Sequence, residues 1–403
     1  MTEKFTGSFT QQEPIPDEGI AAALRVMQTG RLHRYNTVAG EQSETALLEK
    51  EFADWIGAKF CLAVASGGYA IATALRASGV RPGDRVLTNA FTLAPVPGAI
   101  ASVGAVPVFV GVTEGLVIDL DDLAAKLDDA SVLVLSHMRG HICDMHALMR
   151  LCDDAGVIVV EDCAHTMGAS WDGIASGRWG KFGCYSTQTY KHMNSGEGGL
   201  LISDDAEAMA RATILSGSYM LFDRHIAGPS AEVFKDIRYE TPNISGRMDN
   251  LRAAILRPQL GNLDVQCARW NERYAVLEDG LRDLAGLTLI SRPQEEAFVA
   301  SSFQFLLLDW DVEDVLSVVH RCAERGVELK WFGGAEPSGF TSRYDSWRYA
   351  PSEPMPKSDR ILRGIVDLRL PLTFSLEDCA MLGRIIRAEV SAVWQAGTMR
   401  SQT

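Results

Sequence analysis

Val157-Ile158-Val159-Val160-Glu161-Asp162-Cys163-Ala164-His165 is the stretch on which the fold turns. Four β-branched residues in a row do not suit a strand with one wet face. They suit a strand covered on both sides, as in a parallel sheet packed between helices. The run ends in two carboxylates, so at least one stands at the carboxyl edge of that sheet, where open α/β folds hold their ligands. Taken alone, the Glu-Asp pair reads equally well as a helix cap or a solvated loop.

The segments on either side repeat the pattern. Residues 60–64, 85–87, 106–110 and 131–136 read as further short strands, and 69–78, 120–127 and 145–155 as helices between them. This alternation predicts an α/β fold with a mostly parallel central sheet flanked by helices and joined by right-handed crossovers. Past about residue 250 the texture changes. Residues 251–284 read as one or two long helices, 302–310, 312–325 and 327–331 as strand, helix and strand, and 376–394 as a closing amphipathic helix. The expected organisation is an N-terminal arm (1–27), a large domain (28–250) and a smaller α+β C-terminal domain (251–403).

The chain has 403 residues, 47% of them hydrophobic, enough to bury a large core and to exclude global disorder. Its 38 basic and 52 acidic residues leave a formal charge of −14, which argues against nucleic acid or an anionic membrane as partner. A local basic pocket for a phosphate stays open. None of the eight cysteines forms a C-x-x-C pair, so buried thiols in a reducing compartment are expected, with no disulfide framework and no zinc site. Residues 1–14 lack the basic start and apolar stretch of a signal peptide. The uncharged stretch 86–113 is interrupted by Pro95, Pro97 and Pro107 and by Gly98, Gly104 and Gly111, so it reads as packed strand, turn and helix, not a membrane span. The expected location is the cytoplasm.

Two other motifs carry chemistry. Tyr185-Ser186-Thr187-Gln188-Thr189-Tyr190-Lys191 runs into His192-Met193-Asn194-Ser195-Gly196-Glu197-Gly198-Gly199. A lone Lys is usually a surface charge. This one stands among aromatic and small polar residues just before glycines that permit tight turns and close backbone approach. A desolvated Lys has a lowered pKa and forms an imine with an aldehyde. Ala65-Ser66-Gly67-Gly68-Tyr69-Ala70 breaks a strand and opens a helix, whose free N–H groups would bind a phosphate. Phosphate donors, a buried acid and an imine-forming Lys together are what pyridoxal 5′-phosphate (PLP) needs. The acid keeps the pyridine nitrogen protonated, and the Lys holds the cofactor and shuttles the proton.

At this point the sequence resembles the DegT/StrS-type sugar and cyclitol aminotransferases, of the fold-type-I PLP enzymes. The likeness covers residues 28–275. It rests on Ser66-Gly67, Pro82-Gly83-Asp84, Phe91-Thr92, His137 with Gly140, Glu161 to His165 with Gly168-Ala169, Ser186 to Lys191 with the glycine cluster, and Arg247-Met248. The Ser186-x-Gln188-x-x-Lys191 spacing is similar to the cyclitol branch. The resemblance implies that Lys191 is the Schiff-base lysine and that Asp162 pairs with the pyridine nitrogen. His165 would lie near the cofactor's phenolic oxygen. Ser186, with the backbone of Gly67 and Gly68, would bind the phosphate, and Gln188 would belong to the cofactor site. It also implies a homodimer, each subunit completing its neighbour's phosphate site from the segment before Arg247.

The chain departs from that pattern in four places. Gly68 replaces a phosphate-binding Thr. Leu93 stands where an aromatic stacks on the ring, with Phe91 as a possible substitute. Ser245 stands where Asn reaches the partner's phosphate, and Lys330-Trp331-Phe332-Gly333-Gly334-Ala335-Glu336-Pro337 replaces a His-x-Tyr-Pro segment. The resulting expectation is a PLP-dependent aminotransferase moving an amino group from glutamate or glutamine to a keto group of a sugar, cyclitol or related metabolite. Elimination or decarboxylation, and a degenerate non-catalytic subunit, stay open as alternatives. Plainer readings make His192 point away from the site, Glu197 brace the glycine turn, Arg247 an internal salt-bridge partner, and the tryptophans packing residues apart from Trp331 and Trp347.

Overall fold

A computed structural model describes residues 3–400. Its centre is a seven-stranded sheet in the order Phe60–Val64, Gly199–Ser203, Phe182–Ser186, Ile158–Asp162, Val132–Ser136, Arg85–Asn89, Val106–Val110. All neighbours are parallel except Gly199–Ser203, which runs antiparallel to both strands beside it. The expected α/β class and mostly parallel sheet are therefore found. The short apolar runs become strands because both sheet faces are covered. Leu62, Val64, Val134, Val160 and Phe182 pack into one core, while Cys61, Ala63, Leu133, Leu135 and Val159 alternate into another on the opposite face.

A second sheet is wholly antiparallel, in the order Thr288–Leu289, Ser302–Leu306, Ile365–Arg369, Leu329–Trp331. The expected strand, helix and strand are here as Ser302–Leu306, Val312–Glu324 and Leu329–Trp331. The central strand Ile365–Arg369, preceded by the helix Pro356–Gly364, adds an element that sequence reading left unassigned. The long helical region resolves into Asn250–Gly261 and Leu263–Leu281. The first packs on the helices Asp17–Thr29 and Glu44–Ile56, and the second on Leu376–Arg400. The N-terminal arm is fastened at its start: Phe5 and Phe9 pack edge-on against Phe374, and the Phe5 N–H donates to the Arg325 carbonyl at 2.9 Å. All eight cysteines are buried free thiols. Among the described residues, no helix is long and apolar enough to cross a membrane.

Candidate active site

Alternation along Ile158–Asp162 separates the two carboxylates. Glu161 turns into the core and is fully buried. It accepts hydrogen bonds from the backbone N–H of Gly177 (2.9 Å), Trp179 (2.8 Å) and Gly180 (2.8 Å), and pairs with His137 Nε2 at 3.0 Å. Those contacts occupy its lone pairs, so the nearby trio His137, Glu161 and Cys163 is a pinned turn and not a metal cage. Asp162 faces the other way, into a cavity of about 410 Å³. Its Oδ2 accepts from Ser136 Oγ at 2.9 Å and its Oδ1 from the Ala164 N–H at 3.2 Å. Ser136 is itself fixed: its N–H donates to Asn89 Oδ1 at 2.9 Å, and its hydroxyl accepts from Thr92 Oγ1 at 2.8 Å.

The same cavity is lined by Gly67, Gly68, Leu93, Asp162, His165, Ser186, Gln188 and Lys191, eight of the nine expected site residues. Ser245 is not among its lining residues; it stands beside the exposed Tyr219. Ser66 caps the helix Gly67–Ala77 by accepting from the Tyr69 N–H at 3.1 Å. The first turn of that helix therefore offers free N–H groups and the positive end of the dipole to the cavity, beside Ser186. Gly67 is required by space, since a Cβ there would meet Ser186 Cβ at 2.9 Å. Gly68 is not, since its Cβ would meet only Pro95 Cβ at 3.7 Å.

Lys191 lies in the loop between the paired strands Phe182–Ser186 and Gly199–Ser203. Its Nζ is 2.8 Å from His165 Nε2. Burial pulls its ammonium down from 10.5 to about 7. Asp162 opposes that shift, while Arg139, Arg369 and Lys330 add to it. Burial, reinforced by Lys191, keeps His165 neutral, its pKa well below the usual histidine value. His165 Nδ1 accepts from the Arg139 N–H at 3.4 Å, which assigns the ring proton to Nε2, facing the lone pair of a neutral Lys191 amine. Above about pH 7 the pair is therefore a free amine facing a neutral imidazole.

Other expectations meet the geometry here, and those for Phe91, Trp331 and Arg247 are corrected. Phe91 does not line the cavity; it is buried against Phe332, ring centroids 5.2 Å apart, so it cannot substitute for the missing aromatic. Trp347 lines the cavity, but Trp331 does not and donates to the Arg363 carbonyl. Arg247 donates to the Gly217 carbonyl at 2.8 Å and lies over the Tyr219 ring, so its partners are not carboxylates. His192 turns away from the cavity and packs on Trp270.

Sequence reading missed Arg139 and Arg369, which line the cavity, and Lys330 close behind them. Arg139 follows the strand Val132–Ser136 in a left-handed backbone conformation, φ 57°, that a non-glycine residue adopts only under constraint. Its guanidinium is held by Asp367 at 3.0 Å. The signal that could have found Arg369 is the period-two pattern Ile365-Val366-Asp367-Leu368-Arg369, with charges alternating inside an apolar strand.

The model of the DegT/DnrJ/EryC1/StrS aminotransferase family matches residues 16–387. The chain is 34% identical over 269 residues to 3-amino-5-hydroxybenzoate synthase of Amycolatopsis mediterranei (strain S699), covering 66% of this chain and 65% of that one. It is 31% identical over 254 residues to L-glutamine:2-deoxy-scyllo-inosose aminotransferase of Streptomyces kanamyceticus, covering 62% and 59%. The matched regions thus span about three-fifths to two-thirds of those relatives. The crystal structure of 3-amino-5-hydroxybenzoic acid synthase superposes with a TM-score of 0.82 at 26% identity, over 96% of this chain and 99% of that one. The family match spans the seven-stranded and four-stranded sheets and all the residues that line the cavity, and the resemblance around Asp162 and Lys191 holds: the chain belongs to the DegT/DnrJ/EryC1/StrS aminotransferase family.

Proposed function

We propose that this protein is a PLP-dependent aminotransferase that moves an amino group from glutamine or glutamate to a keto group of a cyclitol, sugar or related polar metabolite. The observation that carries the reading is the placement of Lys191 Nζ, Asp162, His165, Ser186 and an open helix N-terminus in one cavity. The two relatives support the acceptor class, since their names describe products or substrates built on a six-membered ring. The proposal includes a cytoplasmic homodimer, in which Ser245 would serve the neighbouring subunit's site. It also keeps the division into arm, large domain and small domain.

The residues fit the cofactor. The phosphate would rest on the helix N-terminus at Gly67 and Gly68 and on Ser186, where the missing Cβ of Gly67 leaves the room. Asp162 would hold the ring nitrogen, Lys191 the aldehyde carbon and His165 the phenolic oxygen side, with Leu93 and Gln188 around the ring. When bound, PLP supplies an aldehyde that takes up amines and a protonated ring that stores carbanion charge.

The chain's own residues then do the following. Asp162 is held in place by two donors, the Ser136 hydroxyl and the Ala164 N–H, so that it would meet the ring nitrogen. Lys191, titrating near neutrality, would accept a proton at Nζ from the substrate carbon and deliver it, from the same face, to the carbon that was the cofactor's aldehyde. His165 orients that amine without competing for the proton, because its own pKa is much lower. The retained amine is the reason to favour transamination over elimination.

Borohydride reduction of purified PLP-loaded protein, followed by peptide mapping, tests the assignment. A pyridoxyl mass on the peptide carrying Lys191 is expected. An unmodified Lys191 in active protein would overturn it.

A further inference from the structure

One face of the second sheet is polar although it is buried. Strand alternation puts Ser302 and Gln304, Lys330, and Asp367 and Arg369 on that face, while Phe303, Phe305, Leu329, Val366 and Leu368 turn to the core. Register makes the grouping tight: Lys330 and Gln304 both pair with Asp367, and Ser302 pairs with Arg369. Arg139 joins from the main sheet.

The charges do not balance. Asp367 is the single carboxylate among these residues: its Oδ1 accepts from the Gln304 amide at 2.7 Å, and its Oδ2 stands 3.0 Å from Arg139 Nη2 as an ion pair in which neither atom completes a hydrogen bond. Gln304 is braced in turn by His141 at 2.9 Å. Lys330 Nζ is buried and has no hydrogen-bond partner, and Arg139 Nε is likewise unsatisfied. Arg139 is only 8% exposed. Arg369 lies over the Tyr190 ring, its Cζ 3.7 Å from the centroid, with Lys330 and Arg369 both over Phe340. The remaining carboxylates at the cavity are Asp162, engaged with Ser136, and the exposed Glu197. Even with Asp162 counted, three cations face two buried carboxylates in a partly desolvated place, which is costly unless a ligand brings the missing negative charge.

Resting on the aminotransferase reading, we infer that Arg139, Lys330 and Arg369 form a subsite for a carboxylate carried by the keto acceptor. A compact anion fits better than a diphosphate, because Arg139 and Arg369 line the same cavity as Lys191 and Lys330 Nζ is buried behind them. The carboxylate must therefore be attached within a few bonds of the reacting carbon. Planar Arg369, held over the Tyr190 ring, suits two-point recognition of that group.

Calorimetric titration of the full-length protein with benzoate and with benzamide, which has the same shape without the charge, tests the subsite. Benzoate should bind about tenfold more tightly, and Lys330→Met and Arg369→Met should each remove most of that preference. Equal binding of the two probes overturns the inference. A second measurement separates the carboxylate of the acceptor from that of the donor. With the protein in its aminated form, kcat/KM for 3-oxocyclohexanecarboxylate should exceed that for the corresponding amide by about tenfold, and this ratio should collapse in both variants. Variants that slow the glutamine half-reaction but keep the acceptor preference assign the cations to the donor and overturn the inference. Failure of the aminotransferase reading itself shows separately, as loss of the pyridoxyl label at Lys191.

Discussion

Replacing Lys191 with Met should make the cofactor-free protein more stable, and the gain should depend on pH. In the folded chain the ammonium titrates near 7, against 10.5 for an ordinary lysine, chiefly because it is buried. Each pH unit between those values is worth about 1.36 kcal/mol, so charging Lys191 in the folded state costs on the order of 5 kcal/mol more than in the unfolded state. The sign follows from proton binding. Between pH 7 and 10.5 the unfolded chain holds this proton and the folded chain does not, so stability rises with pH across that window. Below pH 7 both states are protonated and the whole penalty is present. Met has nearly the same length and no charge to desolvate, so Lys191→Met escapes the penalty. Equilibrium urea unfolding of the two cofactor-free proteins, at one protein concentration, should show the variant ahead by a few kcal/mol at pH 6. The lead should shrink by about 2 kcal/mol between pH 7 and pH 9. A lead that does not change with pH, or a variant less stable than the parent at pH 6, would refute the desolvated amine.

Two further outcomes follow from the same geometry. Gly68→Thr should be tolerated, because its Cβ meets only Pro95 at 3.7 Å, and should add a hydroxyl at the helix N-terminus; PLP retention on dialysis should improve about tenfold, and weaker retention would show that the phosphate lies elsewhere. Glu161→Ala should cost about 3–5 kcal/mol in urea unfolding, because it strands the buried N–H groups of Gly177, Trp179 and Gly180; a loss below about 1 kcal/mol would contradict the pinned turn.

The strands were legible because they are short, apolar and covered on both faces, a composition that few other structures satisfy. The helix Glu44–Ile56 was not, and the reason is a particular residue. Glu49 lies on its buried face, held by Arg34 at 2.7 and 2.8 Å, and a buried acid breaks the apolar stripe that marks a packed helix. The site divides in the same way. Asp162, Ser186 and Lys191 stand in continuous motifs whose chemistry is local, so reading them in order suffices. Which of Glu161 and Asp162 faces the cavity depends on strand phase. Arg139, Lys330 and Arg369 look like ordinary surface charges until two sheets bring them together. Leu93 lines the cavity as expected, yet Phe91 is claimed by Phe332.

The loop that carries Lys191 has both feet planted. Ser186 and Gly199, at its two ends, are partners across adjacent strands, so the segment is a closed arch over the sheet and not a flap hung from one side. An arch of this kind cannot swing open on a single hinge; withdrawing the amine from the cavity means turning the Lys191 side chain or refolding the arch between its feet. Lengthening the crown of the arch near Asn194 would leave its footing untouched, whereas a single added residue at either foot would rotate Lys191 away from His165.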